Sequence, residues 1–214
     1  MTGAALSRRQ AIAGTLAAAA GAALPFPLPA ATRTAGPRRF VLRAADSRPV
    51  EINEWQPHGR ARGRARGTIL FSHGALSSPR LCEAIIAPWQ AAGYRVLAPL
   101  HVDSAEHPDT AKFVGLASWK ARLEDMRALS AHVGNRPWIA AGHSYGGLVA
   151  LTLGGAAAIP PQGITGPLSD ANARAVIAFS PPAPIPVLCT AEGFAALKVP
   201  ALILRSGVSD FHHT

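Results

Sequence analysis

The stretch WIAAGHSYGGLVALTLGGA, residues 138–156, decides how this chain folds. It begins with an apolar run typical of a buried strand and ends with an apolar run typical of a helix. Between the two lies Gly142-His143-Ser144-Tyr145-Gly146, which matches the pattern G-x-S-x-G. A strand–turn–helix context lets a serine hydroxyl project from a sharp turn, with small residues where strand and helix approach each other. We therefore predict that Ser144 is a nucleophile; the alternative is a chance match in an unrelated α/β domain.

Strand-like and helix-like segments alternate along the rest of the chain. A pair of strands is predicted within residues 39–55, around a turn at 46–49. Further strands are predicted at 68–74, 94–100, 137–144, 173–180 and 200–206, and helices at 77–93, 118–134, 145–158 and 192–198. Such alternation favours a mostly parallel sheet with helices on both faces, and substrates in such sheets lie beyond the carboxyl ends of the strands. A length of 214 residues favours one such domain.

Two of the predicted helices carry recognisable starts and apolar faces. In the helix at 77–93, Ser78 is the expected N-cap before Pro79, and Pro88 is expected to bend or end the helix early. Its predicted buried face consists of Leu81, Ala84, Ile85 and Trp89. In the helix at 118–134, Ser118 is the expected cap and the predicted stripe consists of Leu123, Met126, Leu129 and Val133.

The first 31 residues differ in composition from the remainder. MTGAALSRRQ carries Arg8 and Arg9 and is followed by the uncharged segment AIAGTLAAAAGAAL. This segment resembles a bacterial twin-arginine export signal, which implies recognition by the twin-arginine machinery and a periplasmic or secreted location. Cleavage is expected near Ala30 or Ala31, and an uncleaved anchor or an ordinary secretory signal are the alternatives. The folded domain is then expected to occupy residues 38–214.

Charge and composition narrow the possible partners. Of the formal net charge of +9, two charges fall in the export segment and four in GRARGRARG, residues 59–67. The rest of the chain has nearly equal numbers of positive and negative charges. The arginine run has no aromatic residues between its charges that could stack on bases. We therefore expect no nucleic-acid partner. That run is expected to be a solvated hairpin loop, with a contact to an anion or an acidic surface as the alternative. No long apolar run follows residue 30, so no membrane span is expected in the mature form.

Two cysteines are present, Cys82 and Cys189. In an exported protein they could form a disulfide, but twin-arginine substrates resemble proteins that fold in a reducing compartment before export. Two free thiols are the expectation, with the disulfide as the alternative. We expect no metal and no cofactor.

Together with its flanking segments, the G-x-S-x-G motif resembles the α/β-hydrolase family, of the serine hydrolase or esterase type, over about residues 40 to 210. The resemblance implies that Ser144 attacks an acyl group and that two backbone N–H groups bind the resulting oxyanion. These are Tyr145 N–H and, in FSHGALSS, the N–H of Ala75 after His73-Gly74. An ordinary strand-to-helix turn is the alternative interpretation of the His-Gly segment.

The sequence offers one candidate for the acid of the site and only weak candidates for the base. By resemblance, Asp210 after the last predicted strand is the acid, with a solvated turn aspartate as the alternative. The family's histidine follows a further strand, and the sequence contains no residue in that position. His101, His212 and His213 are weak substitutes, so we expect a chain that lacks the family's final strand, helix and catalytic histidine.

The expected substrate is a small molecule with an acyl bond. About twenty residues separate the strands predicted at 173–180 and 200–206, too few for a large lid, so an open cleft is expected. Serine at the nucleophile position disfavours haloalkane dehalogenases and epoxide hydrolases, which carry aspartate there, and dienelactone hydrolases, which generally carry cysteine. We expect hydrolysis of a carboxylic ester, with a peptidase as one alternative and a catalytically impaired hydrolase or binding module as another.

Overall fold

The computed structural model describes residues 36–58 and 65–205. Its strands are β1 Arg38–Arg43, β2 Pro49–Trp55, β3 Gly67–Ser72, β4 Tyr94–Pro99, β5 Trp138–His143, β6 Ala173–Phe179 and β7 Ala201–Leu204. Its α-helices are α1 Glu83–Ala91, α2 Trp119–Val133, α3 Tyr145–Leu153 and α4 Ala191–Ala195. Short 3₁₀ helices cover Arg80–Cys82, Thr110–Lys112 and Gly115–Ser118. The predicted export segment, most of the arginine run, Asp210, His212 and His213 lie outside the described residues.

The strands form one sheet in the order β1-β2-β4-β3-β5-β6-β7. β2 runs antiparallel to both β1 and β4, whereas the pairs β3–β4, β3–β5, β5–β6 and β6–β7 are parallel. The predicted mostly parallel sheet with an antiparallel hairpin at its start is therefore confirmed. Because the five central and late strands share one direction, the segments that follow them meet at one edge of the sheet, where β3, β4 and β5 lie side by side.

Successive residues of each strand face opposite sides of this sheet, and each side has its own core. On one side, Leu70, Leu97 and Ala140 pack with α2 and α3. On the other, Phe71, Val96 and Ala141 and their neighbours pack with α1. The strands are buried on both faces, which explains why they appear as continuous apolar runs in the sequence.

The predicted buried face of α1 is partly right: Ile85 and Trp89 are half-buried and pack against the core, but Leu81 and Ala84 are exposed. Leu81 is 63% exposed, whereas Ile86 and Gln90 are buried. The chain first makes the 3₁₀ turn Arg80–Cys82, in which Leu81 N–H donates to Ser78 Oγ (3.3 Å), and α1 begins only at Glu83. This tighter turn rotates the helix face relative to a continuous α-helix. Pro88 lies inside α1 and does not end it.

The predicted apolar stripe of α2 is confirmed, but its cap is not. Leu123, Met126 and Leu129 are buried. The Ser118 side chain makes no cap hydrogen bond; its Oγ donates instead to Asp103 Oδ2 and to the carbonyl oxygen of Gly115, both at 3.0 Å. Several charged residues of α2 are buried as well, and they belong to the site described below.

The structure also addresses membrane spans and the two thiols. Within residues 36–58 and 65–205, no helix has the length and apolar character needed to cross a membrane. Cys82 and Cys189 are both free and buried, in the two different cores of the sheet.

Candidate active site

Ser144 occupies the turn between β5 and α3 in a backbone conformation that side chains rarely adopt. Its φ is 52° and its ψ is −123°, and its N–H donates to the carbonyl oxygen of Phe179 (2.8 Å) at the end of β6. The residue is partly exposed although the flanking strand and helix are buried. A positive φ at a non-glycine residue is strained, and such strain is concentrated at functional sites.

The glycines around Ser144 are required by close backbone contacts. A methyl group on Gly142 would overlap the carbonyl oxygen of Gly146, and one on Gly146 would overlap the carbonyl oxygen of Ser72 in β3. The small residues predicted from G-x-S-x-G therefore press the start of α3 against two neighbouring strands. This packing fixes the position of Ser144 at the carboxyl edge of the sheet.

The loop after β3 lies directly beside the serine. A Cβ placed on Gly74 would be 3.3 Å from Ser144 Cβ and 3.2 Å from His143 Nδ1. The next residue, Ala75, is exposed, and its N–H has no acceptor among the described residues. Tyr145 is the first residue of α3, where N–H groups have no partner within the helix. The structure thus brings both predicted oxyanion donors to segments adjoining Ser144.

Two histidines beneath this loop are fully buried and fully hydrogen-bonded. His101 Nδ1 lies 2.7 Å from Asp125 Oδ2, and its Nε2 lies 2.8 Å from Ser72 Oγ. The His101 backbone N–H donates to His73 Nε2 (3.1 Å), and His73 Nδ1 donates to the carbonyl oxygen of Gly74 (2.7 Å). His73 therefore links the loop after β3 to the loop after β4. His101 has no free ring nitrogen with which to accept a proton from Ser144.

Burial keeps both histidines neutral. Desolvation lowers the pKa of His73 and of His101 well below the ordinary value, and the positive charge of Arg122 acts in the same direction. The hydrogen-bond pattern agrees with this, because His73 Nε2 must be unprotonated to accept from the His101 N–H. Burial also raises the pKa of Asp125 to about 6, against the opposing effect of the Arg48 guanidinium 2.7 Å away.

A buried arginine of α2 completes the cluster. Arg122 Nη1 donates to the carbonyl oxygen of His73 (2.7 Å), and Nη2 donates to that of Gly74 (3.1 Å). Its charge is balanced by Asp103, whose carboxylate accepts from Nε at 3.0 and 3.1 Å and from Nη2 at 3.0 Å. Asp103 therefore pairs with this arginine, whereas His101 pairs with Asp125.

Sequence reasoning missed Arg122, Asp125 and Arg48. Charged residues on a helix are ordinarily assigned to solvent, so the apolar stripe alone predicts the buried face of α2. One signal was present: Arg122 lies four residues before Met126 and Asp125 lies four residues before Leu129, which places all four on one helix face.

The remaining candidates for the acid and the base are three polar residues near the end of the sequence. Asp210, His212 and His213 lie outside the described residues. Within the described part of the chain, no side chain is hydrogen-bonded to Ser144 Oγ.

Comparisons with known proteins identify solved structures of similar architecture. The sequence matches no family model and no curated protein. A serine hydrolase homologue from Coxiella burnetii has a similar structure (TM-score 0.53, 15% identity), with 78% of this chain and 73% of that chain covered. An acylaminoacyl peptidase from Pyrococcus horikoshii (TM-score 0.52, 15% identity) covers 82% of this chain and 32% of that one. The similarity to a puromycin hydrolase (TM-score 0.52, 16% identity) covers 68% of this chain and 22% of that chain.

These similarities show the fold. The chain has an α/β-hydrolase fold, with a mostly parallel sheet that begins with an antiparallel strand pair. It spans only about a fifth of the puromycin hydrolase and a third of the acylaminoacyl peptidase.

Proposed function

We propose that this protein is a serine hydrolase that cleaves carboxylic esters or similar acyl bonds, with Ser144 as the nucleophile. Ser144 Oγ attacks the carbonyl carbon, the bond to the leaving group breaks, and the leaving group takes up the serine proton by way of a base. Water then attacks the acyl-enzyme, releases the acid and restores the hydroxyl. The N–H groups of Ala75 and Tyr145 bind the negative oxygen of each tetrahedral intermediate, and Asp210 is the proposed acid.

The observation that carries this proposal is the backbone of Ser144. A partly exposed serine at φ 52° lies between a buried strand and a buried helix. The glycines two residues before and after it are packed so closely that no side chain would fit there. A structural turn would be less strained with glycine at this position. The neighbouring Ala75 N–H without an acceptor adds a donor where negative charge would develop.

Fluorophosphonate labelling tests the proposal. We expect the purified, folded protein to be phosphonylated at Ser144 at a rate far above that of free serine, as located by peptide mass spectrometry. Ser144→Ala is expected to abolish labelling without loss of folding. If folded wild-type protein is not labelled, the proposal is wrong.

A non-catalytic binding protein of this fold is the second candidate. It is favoured by one observation: the two buried histidines of the site are occupied by other partners, and Ser144 Oγ has no hydrogen-bond partner in the described part of the chain. Absence of labelling in a soluble, cooperatively melting protein would support this candidate instead.

The export signal is proposed from the sequence alone. If residues 1–31 direct the protein to the twin-arginine machinery, replacing Arg8 and Arg9 together by lysine should prevent export. We expect the protein in the periplasmic or secreted fraction for the wild type and in the cytoplasm for the double variant. Equal export of both would indicate an ordinary secretory signal.

A further inference from the structure

We propose that Arg122 is a positioning residue that orients the oxyanion-binding N–H of Ala75 from beneath. The inference rests on the proposed function, because it concerns the oxyanion hole of the same site. Arg122 does not touch the reacting atoms; it acts through the backbone of the loop after β3.

The peptide group between Gly74 and Ala75 carries the argument. Its carbonyl oxygen belongs to Gly74 and its N–H to Ala75, and in a planar trans peptide these two groups point in opposite directions. Arg122 Nη2 and His73 Nδ1 both donate to this carbonyl oxygen, at 3.1 and 2.7 Å, from the buried side. The Ala75 N–H must therefore point away from the core, at the exposed side of the loop beside Ser144.

The positive charge of Arg122 has a second effect on the same peptide. A cation that binds a carbonyl oxygen draws electron density from the peptide and makes its N–H a stronger donor, since hydrogen bonds in a chain polarise one another. The side chain of Arg122 is fully buried, so water does not screen this interaction. Arg122 thus both orients the Ala75 N–H and makes it a stronger hydrogen-bond donor.

Arg122 also contacts the residue that carries the other donor. Its guanidinium carbon lies 4.9 Å from the centroid of the Tyr145 ring, and that ring stacks on Trp119 at 5.8 Å. One guanidinium therefore contacts both the peptide group that carries the Ala75 N–H and the side chain of Tyr145. Lysine, a single point charge without a planar fork, cannot bind Asp103 and both loop carbonyls together.

The test compares two arginines of α2. Arg127 offers a matched control, because its guanidinium also donates to two backbone carbonyls, those of Thr165 and Pro167, in a loop outside the site. Fluorophosphonate labelling rates at Ser144 and melting temperatures are measured for wild type, Arg122→Lys and Arg127→Lys. Loss of one oxyanion donor costs about 10²–10³-fold in other hydrolases, so we expect Arg122→Lys to slow labelling at least about tenfold. Arg127→Lys should stay within about twofold.

A second variant distinguishes loss of the positioning role from misfolding caused by an unpaired buried charge. In Arg122→Met combined with Asp103→Asn, both charges of the ion pair are removed, which leaves no unpaired buried charge. We expect the same slowing of labelling in this variant. With p-nitrophenyl acetate, both variants should lower kcat per folded enzyme and leave KM unchanged, as expected when an interaction made only in the transition state is lost.

The outcomes separate the two proposals. If wild-type Ser144 reacts no faster than free serine, the proposed function fails and this inference fails with it. If the wild type reacts and either folded Arg122 variant reacts at the same rate, the proposed function stands and the positioning role of Arg122 is overturned.

Discussion

Ser144 shows how one residue can be held in an unfavourable conformation by its neighbours. Its φ of 52° and ψ of −123° lie outside the regions that non-glycine residues prefer. Conformations of this kind cost about 1–3 kcal/mol and persist only when surrounding contacts impose them. Here the contacts are the hydrogen bond to Phe179 and the backbone packing at Gly142 and Gly146.

This strain predicts an unusual order of stability. We expect Ser144→Gly to be more stable than Ser144→Ala by about 1 kcal/mol, because glycine adopts a positive φ without penalty. At an ordinary helical site the order is reversed: Ala131→Gly in α2 should lower the free energy of unfolding by about 1 kcal/mol. Urea unfolding of the three variants provides the measurement. Greater stability of Ser144→Ala would show that the turn is not strained.

The neutral histidines predict a loss of stability in acid. The folded-state pKa values of His73 and His101 are depressed by burial first and then by nearby positive charge. Below about pH 6.5 the unfolded chain binds protons that the folded protein excludes, so the free energy of unfolding falls by up to about 1.4 kcal/mol per pH unit for each histidine. Asp125, with a folded pKa of about 6, takes up a proton in the folded state and offsets part of this loss below pH 6.

Denaturant unfolding at several pH values from 7.5 to 5 tests this prediction. The loss should begin near pH 6.5 and reach its full slope below about pH 6, and His73→Asn should reduce that slope by more than half, because Asp125 opposes the one histidine that remains. His132→Gln, at an exposed position, is the matched control and should leave the slope unchanged. A free energy of unfolding that does not change with pH would contradict the neutral state of the buried pair.

At the scale of elements, the sequence predicted some features well because they depend on local pattern. The apolar runs of β5 and α3 and the glycines between them predict the turn at Ser144, and the apolar residues of α2 predict its buried stripe. The face of α1 was predicted only in part, because a 3₁₀ turn changed its phase and left Leu81 exposed. Arg122 and Asp125 were missed because their partners, His73 and Arg48, are distant in sequence and come together only through the strand order.

The contact between α3 and β3 predicts which glycine tolerates substitution. A methyl group on Gly146 would overlap the Ser72 carbonyl, which is backbone and cannot rotate away. We expect Gly146→Ala to reduce the free energy of unfolding by about 3 kcal/mol, at the upper end of overpacking effects. Gly36→Ala, with none of the described residues within 4 Å of the added group, should change it by less than about 0.5 kcal/mol. Equal melting temperatures would contradict the close packing.

For the whole molecule, the two edges of the sheet differ. The edge at β1 carries charged side chains, whereas all four residues of β7 are exposed and apolar. Among the described residues, β7 pairs only with β6. An exposed apolar edge strand is a template for association between chains.

We therefore expect concentration-dependent association that a charge on β7 reduces. Leu202→Lys, at a residue that is 54% exposed, should lower light scattering at high protein concentration. Val187→Lys removes a similarly exposed apolar side chain away from the sheet edge and should have a much smaller effect. Equal effects of the two variants would assign the association to general surface apolarity.

The strand order also determines how the site is assembled while the chain is being synthesised. β5 pairs with β3, β6 with β5, and β7 with β6, so the sheet extends in one direction as the later strands are made. Every residue that holds the loop after β3, from Arg48 to Asp125, leaves the ribosome before Ser144 does. Because the chain emerges amino terminus first, the residues that support the loop are already available for contacts when the nucleophile is synthesised.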